Sequence, residues 1–592
     1  MNDFPKMLRF IRTPGFGLGV VMCLLGFLIL WYNGPNWKKS IINSDGRGYY
    51  YFLPALSAGD KTYQSTLLAE KKIVGESATQ LYILKTEEGK SVNKCYPGVA
   101  ILQSPFYLFA TAWDALSGAE FDGYSDAHIL SFFWGSMLFV FLSMVFFQKT
   151  LTLFFGTEKY TWLFSILLVF GTNVWYQAFF YCGLSHHYSL FLFSVFCWNV
   201  LRYRQSPQKK YLFYTGVILG LLFLVRPTNV LVLTFVPFLF GSRDAFLMVL
   251  RRLFQLSNLH FLFLILPSLA VLTLLPIITY WQTGHFFYWS YQGEGFDFGG
   301  KHLFETWFSY RAGIFVLTPI TLLAFTGLVY WFRKDKYLFV AWLLPFVLIT
   351  YILSSWWCWD YQSFFGNRAF TEFQFLMTFP LLFSVLVMKR VGLKGSLLML
   401  ILLYMGIRSY QKITVIYNQQ RFTAYTYWKS MFDFNSAIPD KYLVFSNCQP
   451  YGKVVSYRQL VPQKMRYEEY SDQKEFGQIL SDTFKDTRKG VRYFFELHVN
   501  KQLCEDTDWR GVSVTFAGES EKKELVHYSS YPMYQFYKEG KGKWKEFDIQ
   551  EEYYPFAERS KTAIIYIWNS GKKRFKIDDF RVTIKKIDSR QR

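Results

Sequence analysis

Up to about residue 416 the chain alternates long apolar blocks with short, mostly basic loops; beyond about Tyr442 the blocks give way to short alternating runs. A block needs roughly 20 apolar residues to cross a bilayer as a helix, and an excess of Lys and Arg marks the loops left on the inner side. Gly15 to Tyr32, Ala127 to Phe147, Tyr160 to Phe180 and Tyr188 to Val200 read as the first four spans. Leu212 to Phe240 is too long for one span and is interrupted at Arg226-Pro227, so it is expected as two short helices. Phe261 to Trp281, Ala312 to Phe332, Tyr337 to Leu353, Ala369 to Met388 and Ser396 to Ile416 complete the series. The pattern predicts a multi-span α-helical membrane protein with about eleven transmembrane helices.

Lys6, Arg9 and Arg12 place the N-terminus in the cytoplasm, and the absence of a convincing small-residue cleavage site favours a retained signal anchor. The C-terminal domain is then expected outside the cytoplasm, as in the inner membrane of a bacterium with its periplasm. The runs Val491 to Val499, Val512 to Phe516, Ala563 to Trp568 and Phe580 to Ile584 read as strands, which predicts a C-terminal all-β sandwich or jelly roll. The expected division is residues 1–416 as the membrane domain, with 33–125 as its first outer loop, 417–441 as a linker and 442–592 as the sandwich.

Composition changes this picture little. Hydrophobic residues make up 52% and aromatics 21% of the 592 residues, which agrees with a membrane protein. The net charge of +21 raises the question of nucleic acid, but many basic residues lie in the short loops that orient spans, and no nucleic-acid module is present. Nucleic acid is therefore excluded as a partner. Of the seven cysteines, Cys448 and Cys504 share the polar C-terminal region and could pair there; two free thiols fit equally well.

Candidate chemistry gathers in stretches that the loop charges put on the outer side. Asp45, in Asn43-Ser44-Asp45-Gly46-Arg47-Gly48-Tyr49-Tyr50-Tyr51, follows the first span, and its two glycines are expected to turn the backbone around the carboxylate. Lys94, before Cys95-Tyr96-Pro97-Gly98, opens an apolar run and suits a phosphate, though an ordinary interfacial lysine fits too. His186 and His187 enter the fourth span; adjacent helical positions diverge, so they are poor joint metal ligands, and either could meet a phosphate or hydroxyl or simply pack. Tyr49, Tyr96, Glu294, Trp356, Trp357, Trp359 and Asp360 are expected around a substrate, with Arg311 and Arg368 on its phosphate. An aromatic anchoring belt would account for the tryptophans as well.

In its order of an Asp-bearing first outer loop, the Lys94-Cys95-Tyr96-Pro97-Gly98 helix start, the Gly220-to-Arg226-Pro227 broken span and many helices, the chain resembles the GT-C glycosyltransferase superfamily. Within it, Phe308 to Gly313 and Trp356 to Arg368 are similar to the bacterial branch related to protein O-mannosyltransferases and aminoarabinose transferases, the glycosyltransferase family 39-like members. The resemblance covers about Gly15 to Ile416. It implies an inverting transferase that takes one sugar from a polyprenyl-phosphate donor to a lipid, glycan or protein acceptor. Asp45 would act as general base or orient the acceptor hydroxyl, and Lys94 would hold the phosphate. Many relatives carry a second acidic residue beside the first-loop Asp; here Gly46 follows, leaving Glu70 or Asp126 as substitutes. No cofactor is implied; metal independence is favoured, with a divalent ion left open. The C-terminal region, with Lys576 to Phe580, resembles galactose-binding or carbohydrate-binding jelly rolls, and Tyr553, Tyr554 and Trp568 would face a glycan. A polyprenyl-lipid or polysaccharide transporter and a membrane-anchored glycan-binding protein are the alternatives; no paired half-repeat of a transporter is visible.

Overall fold

The computed structural model describes residues 14–34, 37–74, 82–119, 122–255, 259–291, 294–299, 302–310, 312–361, 365–388, 393–417, 454–461, 467–487, 491–504, 512–533, 545–553 and 560–588. The expected linker, Arg311, Cys448 and Tyr554 lie outside them. The chain separates into two compact units, Met1–Gly406 and Ile407–Arg592.

The first unit is helical, and its helices start and stop where local chemistry dictates. The longest, Asp126–Phe155, begins at Ser125, whose hydroxyl accepts the His128 backbone N–H, and ends at Gly156 with φ 67°. Its 30 residues span about 45 Å, more than the roughly 30 Å of a bilayer's hydrocarbon. Lys336–Ser354 starts on the Asp335 carboxylate, which accepts the Leu338 N–H at 3.0 Å.

Three described helices are each long and apolar enough to cross a membrane: Asp126–Phe155, Leu262–Thr283 and Lys336–Ser354. Two bent pairs would raise the number to five, with breaks of 59° after Phe170 and 119° after Leu239. The expected count of about eleven is not matched by continuous helices, because several blocks are interrupted. Lys209–Val225 stops at Arg226, and the chain continues as a 3-10 helix, Pro227–Phe235. Pro319 likewise opens a 3-10 stretch within the block 312–332, and Ala369 to Met388 opens as the 3-10 helix Arg368–Phe373.

The first loop is folded. It contains the short helix Gly46–Tyr50, the helix Gln64–Val74 and an antiparallel hairpin of β1 (Ile83–Lys85) and β2 (Ser91–Asn93). Gly46 and Gly48 do not supply the expected turn: both sit in a helix, and the left-handed residue is Ser44, φ 47°. Gly46 instead allows close approach. A Cβ there would lie 2.8 Å from the Gly183 Cα, and one on Gly183 2.7 Å from the Gly46 Cα. Gly98 is similarly crowded against the backbone of Leu224 and Val225, just before Arg226. Beneath the loop, Glu70 accepts both Nε and the NH2 nitrogen of Arg47 at 2.6 Å and the Tyr51 hydroxyl at 2.6 Å. Asp60 closes the turn into Gln64–Val74: its carboxylate takes the N–H and hydroxyl of Thr62 and of Ser65.

The second unit holds two antiparallel sheets packed on a shared core. One has the order β5-β10-β7-β8, from Phe476–Thr483, Thr562–Asn569, Val512–Glu519 and Leu525–Pro532. The other has the order β3-β11-β6-β9, from Val454–Leu460, Phe575–Asp588, Val491–Leu503 and Lys545–Tyr553, with β4 (Tyr467–Tyr470) pairing to β11. Strand β10 alternates strictly, burying Ala563, Ile565 and Ile567. Phe495 and Phe516 meet across the two sheets at 5.9 Å. Trp568 lies on the other face of β10, parallel to Phe476, and donates its indole N–H to Glu475 at 3.1 Å.

Two outcomes follow from the packing. Gly98→Ala should destabilise the first unit by about 1–3 kcal/mol through forced backbone shifts, measured as a lowered unfolding midpoint in detergent. For Asp60, burial alone would raise the carboxyl pKa, but the Ser65 and Thr62 hydrogen bonds hold it at about 2. A depressed folded pKa means its stabilisation is complete above the unfolded value near 3.8 and is lost as pH falls through about 2. Hydrogen exchange of residues 60–74 should rise over that window, and Asp60→Ala should remove the dependence.

Candidate functional site

The first loop, the starts of three helices and two later loops enclose a cavity of about 330 Å³. Asp45 enters it from the start of Gly46–Tyr50. Its Oδ1 accepts the Tyr82 hydroxyl at 3.1 Å, and its Oδ2 lies 3.1 Å from the Arg368 guanidinium. Burial, and after it the Asp45 charge, hold the Tyr82 phenol well above its ordinary pKa, so it stays a donor to the carboxylate. The Asp45 side chain keeps 37% exposure, so a ligand can still reach it.

Lys94 stands opposite, just before Pro97 opens the helix Gly98–Ser117. Its ammonium is paired with the Glu294 carboxylate and lies 5.3 Å above the Tyr291 ring. Tyr291 in turn stacks on Tyr96 at 6.2 Å and meets Trp356 edge-on. The Glu294 loop is fixed by backbone hydrogen bonds to the Trp356 stretch: Trp357 N–H donates to Gly295 O at 3.0 Å and Asp297 N–H to Ser355 O at 2.6 Å. Cys95 also lines the cavity, but burial, with Asp45 beside it, pushes its thiol well above the usual range, which leaves it a poor nucleophile.

A third group lies deeper. Arg226, in extended backbone between Lys209–Val225 and the following 3-10 helix, places its NH1 nitrogen 3.1 Å from Glu372 Oε1 and 3.0 Å from His186 Nδ1. Glu372 Oε2 lies 2.8 Å from the same His186 nitrogen. Glu372 is fully buried, whereas Arg226 and His186 reach the cavity wall. Asn367 sets up the 3-10 helix that carries both Arg368 and Glu372, accepting the N–H groups of Ala369 and Phe370 with its side-chain oxygen.

The structure therefore brings Asp45, Tyr49, Lys94, Tyr96, His186, Glu294, Trp356, Trp357 and Arg368 to one cavity. It does not bring His187, Trp359 or Asp360 there. His187, one position on from His186, turns about 100° away and bonds Ser136 at 2.7 Å in the helical core. Trp359 stacks on His302, and Asp360 accepts the Cys358 thiol. Neither substitute acid replaces a neighbour of Asp45: Glu70 is spent on Arg47 and Tyr51, and Asp126 pairs with Lys38 at the start of its helix. Among the described residues no three His, Cys, Asp or Glu side chains gather as a metal cluster.

Sequence reasoning missed Arg226 and Glu372 as site residues. Both were legible as charges within apolar blocks, which are tolerated only where they pair or line a polar cavity.

Three cations line the cavity, and each is held at rest by a carboxylate of the protein. An anionic ligand must compete with those carboxylates. Asp45→Asn should therefore tighten binding of inorganic pyrophosphate or a short polyprenyl phosphate several-fold by releasing Arg368, about 1 kcal/mol for a partly exposed pair. Arg368→Gln should weaken it, and titration calorimetry in detergent reads both.

No family profile matches the chain, and no curated protein does. A similar solved structure is the arabinosyltransferase EmbB from Mycobacterium smegmatis, aligned over 100% of this chain and 65% of that one at 10% identity, with a TM-score of 0.38. The chain thus spans about 65% of that protein's length, and a superposition so loose assigns it neither a fold family nor a function.

Proposed function

We propose that this chain is a membrane glycosyltransferase of the GT-C type. It moves one sugar from a polyprenyl-phosphate donor to a hydroxyl of a lipid, glycan or protein acceptor on the outer face of a bacterial inner membrane. The observation that carries the reading is the cavity itself. A reachable carboxylate, three cations and a wall of tyrosine and tryptophan rings meet at the ends of apolar helices.

Each part has work in such a reaction. The bond that breaks joins the anomeric carbon to a phosphate oxygen, and the electron pair leaves with the phosphate. Lys94 and Arg368, assisted by Arg226, are placed to neutralise that charge as it develops, which is where electrostatic stabilisation acts most strongly. Asp45 receives the acceptor hydroxyl, orienting it or taking its proton, and direct attack inverts the anomeric centre. Tyr96, Tyr291, Trp356 and Trp357 offer ring faces and hydroxyls to the sugar. The apolar helices offer the polyprenyl chain a bilayer to lie in. No cofactor enters the scheme.

Purified protein in nanodiscs, given a panel of polyprenyl-phosphate sugars and an envelope extract as acceptor source, should release free polyprenyl phosphate from one donor, detected by mass spectrometry. Asp45→Asn should lower that release at least 100-fold while the protein stays folded, within the range for losing the group that orients or deprotonates the acceptor. No release from any donor would favour transport or glycan binding instead.

A further inference from the structure

Asp45 does not stand as a free base: Arg368 and the Tyr82 hydroxyl occupy its two oxygens. A different group in the same cavity has the geometry of a proton acceptor. The His186 Nδ1 lies 2.8 Å from the buried Glu372 carboxylate, and at that separation one of the two must carry the proton between them. The imidazole nitrogen carries it, because Glu372 also faces the Arg226 guanidinium at 3.1 Å and a cation favours the ionised carboxylate; the Arg226 NH1 nitrogen, a donor only and 3.0 Å from Nδ1, then gives its hydrogen to Glu372 and not to the ring. Nδ1–H then donates to Glu372, and Nε2 is left with its lone pair. Among the described residues Nε2 has no hydrogen-bond partner, and His186 lines the cavity. By contrast His187 spends its Nε2 on Ser136 and faces the core.

We infer that His186, held in this tautomer by Glu372, is the general base of the cavity, and that Asp45 orients the acceptor hydroxyl. The inference rests on the glycosyltransferase reading and extends it. As the acceptor oxygen bonds to the anomeric carbon, its proton passes to His186 Nε2. The bond from that carbon to the phosphate oxygen breaks with its electron pair on the departing polyprenyl phosphate. The imidazolium is stabilised by Glu372 until the proton leaves with product or to solvent. Glu372 touches no substrate and acts as a positioning residue, fixing which nitrogen faces the hydroxyl.

Burial, and after it the charges around the ring, set the pH range. Glu372 and Arg226 contact it, and Arg368 acts on it from the same 3-10 helix as Glu372. Tyr49 stands beside Arg226 and Asp45, Tyr361 beside Arg226, Glu372 and Arg368, and His187 is its neighbour on the helix. Burial, offset only in part by the Glu372 carboxylate and reinforced by the Arg226 and Arg368 cations, lowers the protonation of His186 below the ordinary histidine range.

The test is the pH profile of kcat/KM for polyprenyl phosphate release by the native protein, His186→Gln, Glu372→Gln and Asp45→Asn. With His186 as base, the native profile has an acidic limb at a pH below the ordinary histidine value. His186→Gln loses about 100-fold or more and loses that limb, while Glu372→Gln lowers kcat more than it raises KM and shifts the limb. Nitrogen-15 histidine NMR should show one ring with a protonated Nδ1 and bare Nε2 that disappears in His186→Gln. An acidic limb that His186→Gln retains, or His186→Gln within about threefold of native, overturns the inference and leaves the transferase reading standing. Absence of release by the native protein from every donor overturns both.

Discussion

The cavity depends on a short 3-10 helix, Arg368–Phe373, that delivers two opposite charges to two different partners. With three residues per turn, positions four apart diverge by about 120°. Arg368 can therefore reach Asp45 in the first loop while Glu372 turns inward to Arg226 and His186. The Asn173 side-chain N–H group bonds to Asn367 O and to the Thr371 hydroxyl, tying the turn to the break between two earlier helices. A buried carboxylate such as Glu372 is tolerable only because a cation and an imidazole meet it; removing either partner would leave a charge in apolar surroundings.

Close backbone contact does the rest of the positioning. The loop bearing Asp45 approaches the segment before His186 through Gly46 and Gly183, a contact too tight for a side chain on either residue. Gly98 does the same between the Lys94 stretch and the end of the helix that leads to Arg226. These contacts bring four chain regions distant in sequence to one small volume. The Arg47–Glu70–Tyr51 cluster underneath braces the loop from the opposite side. The Asp45 carboxylate facing the cavity keeps 37% exposure, while Glu70 beneath it serves only to hold.

The resting cavity is charge-balanced, with Lys94 on Glu294, Arg368 on Asp45 and Arg226 on Glu372. Such a site resists emptying its cations into solvent yet yields them to a phosphate, whose several oxygens offer more acceptors than one carboxylate. In the proposed reaction, donor recognition and release of the protein's own carboxylates are then one event.

By itself the sequence determined the helical blocks, the change to alternating strands in the C-terminal region, and the polar stretches between blocks where Asp45, Lys94 and Arg368 lie, because burial imposes periodicities that a linear reading detects. Strand β10 was legible for that reason: its buried positions fall on every second residue. Only the tertiary structure decided which residues meet. It separated His186 from His187, drew Glu372 out of an apolar block to the back of the cavity, removed Trp359 and Asp360 from it, and gave Gly46 a packing role in place of a turning one. These outcomes depend on contacts between segments more than fifty residues apart, and on side-chain directions that differ by about 100° between helical neighbours, neither of which leaves a periodic trace in the chain.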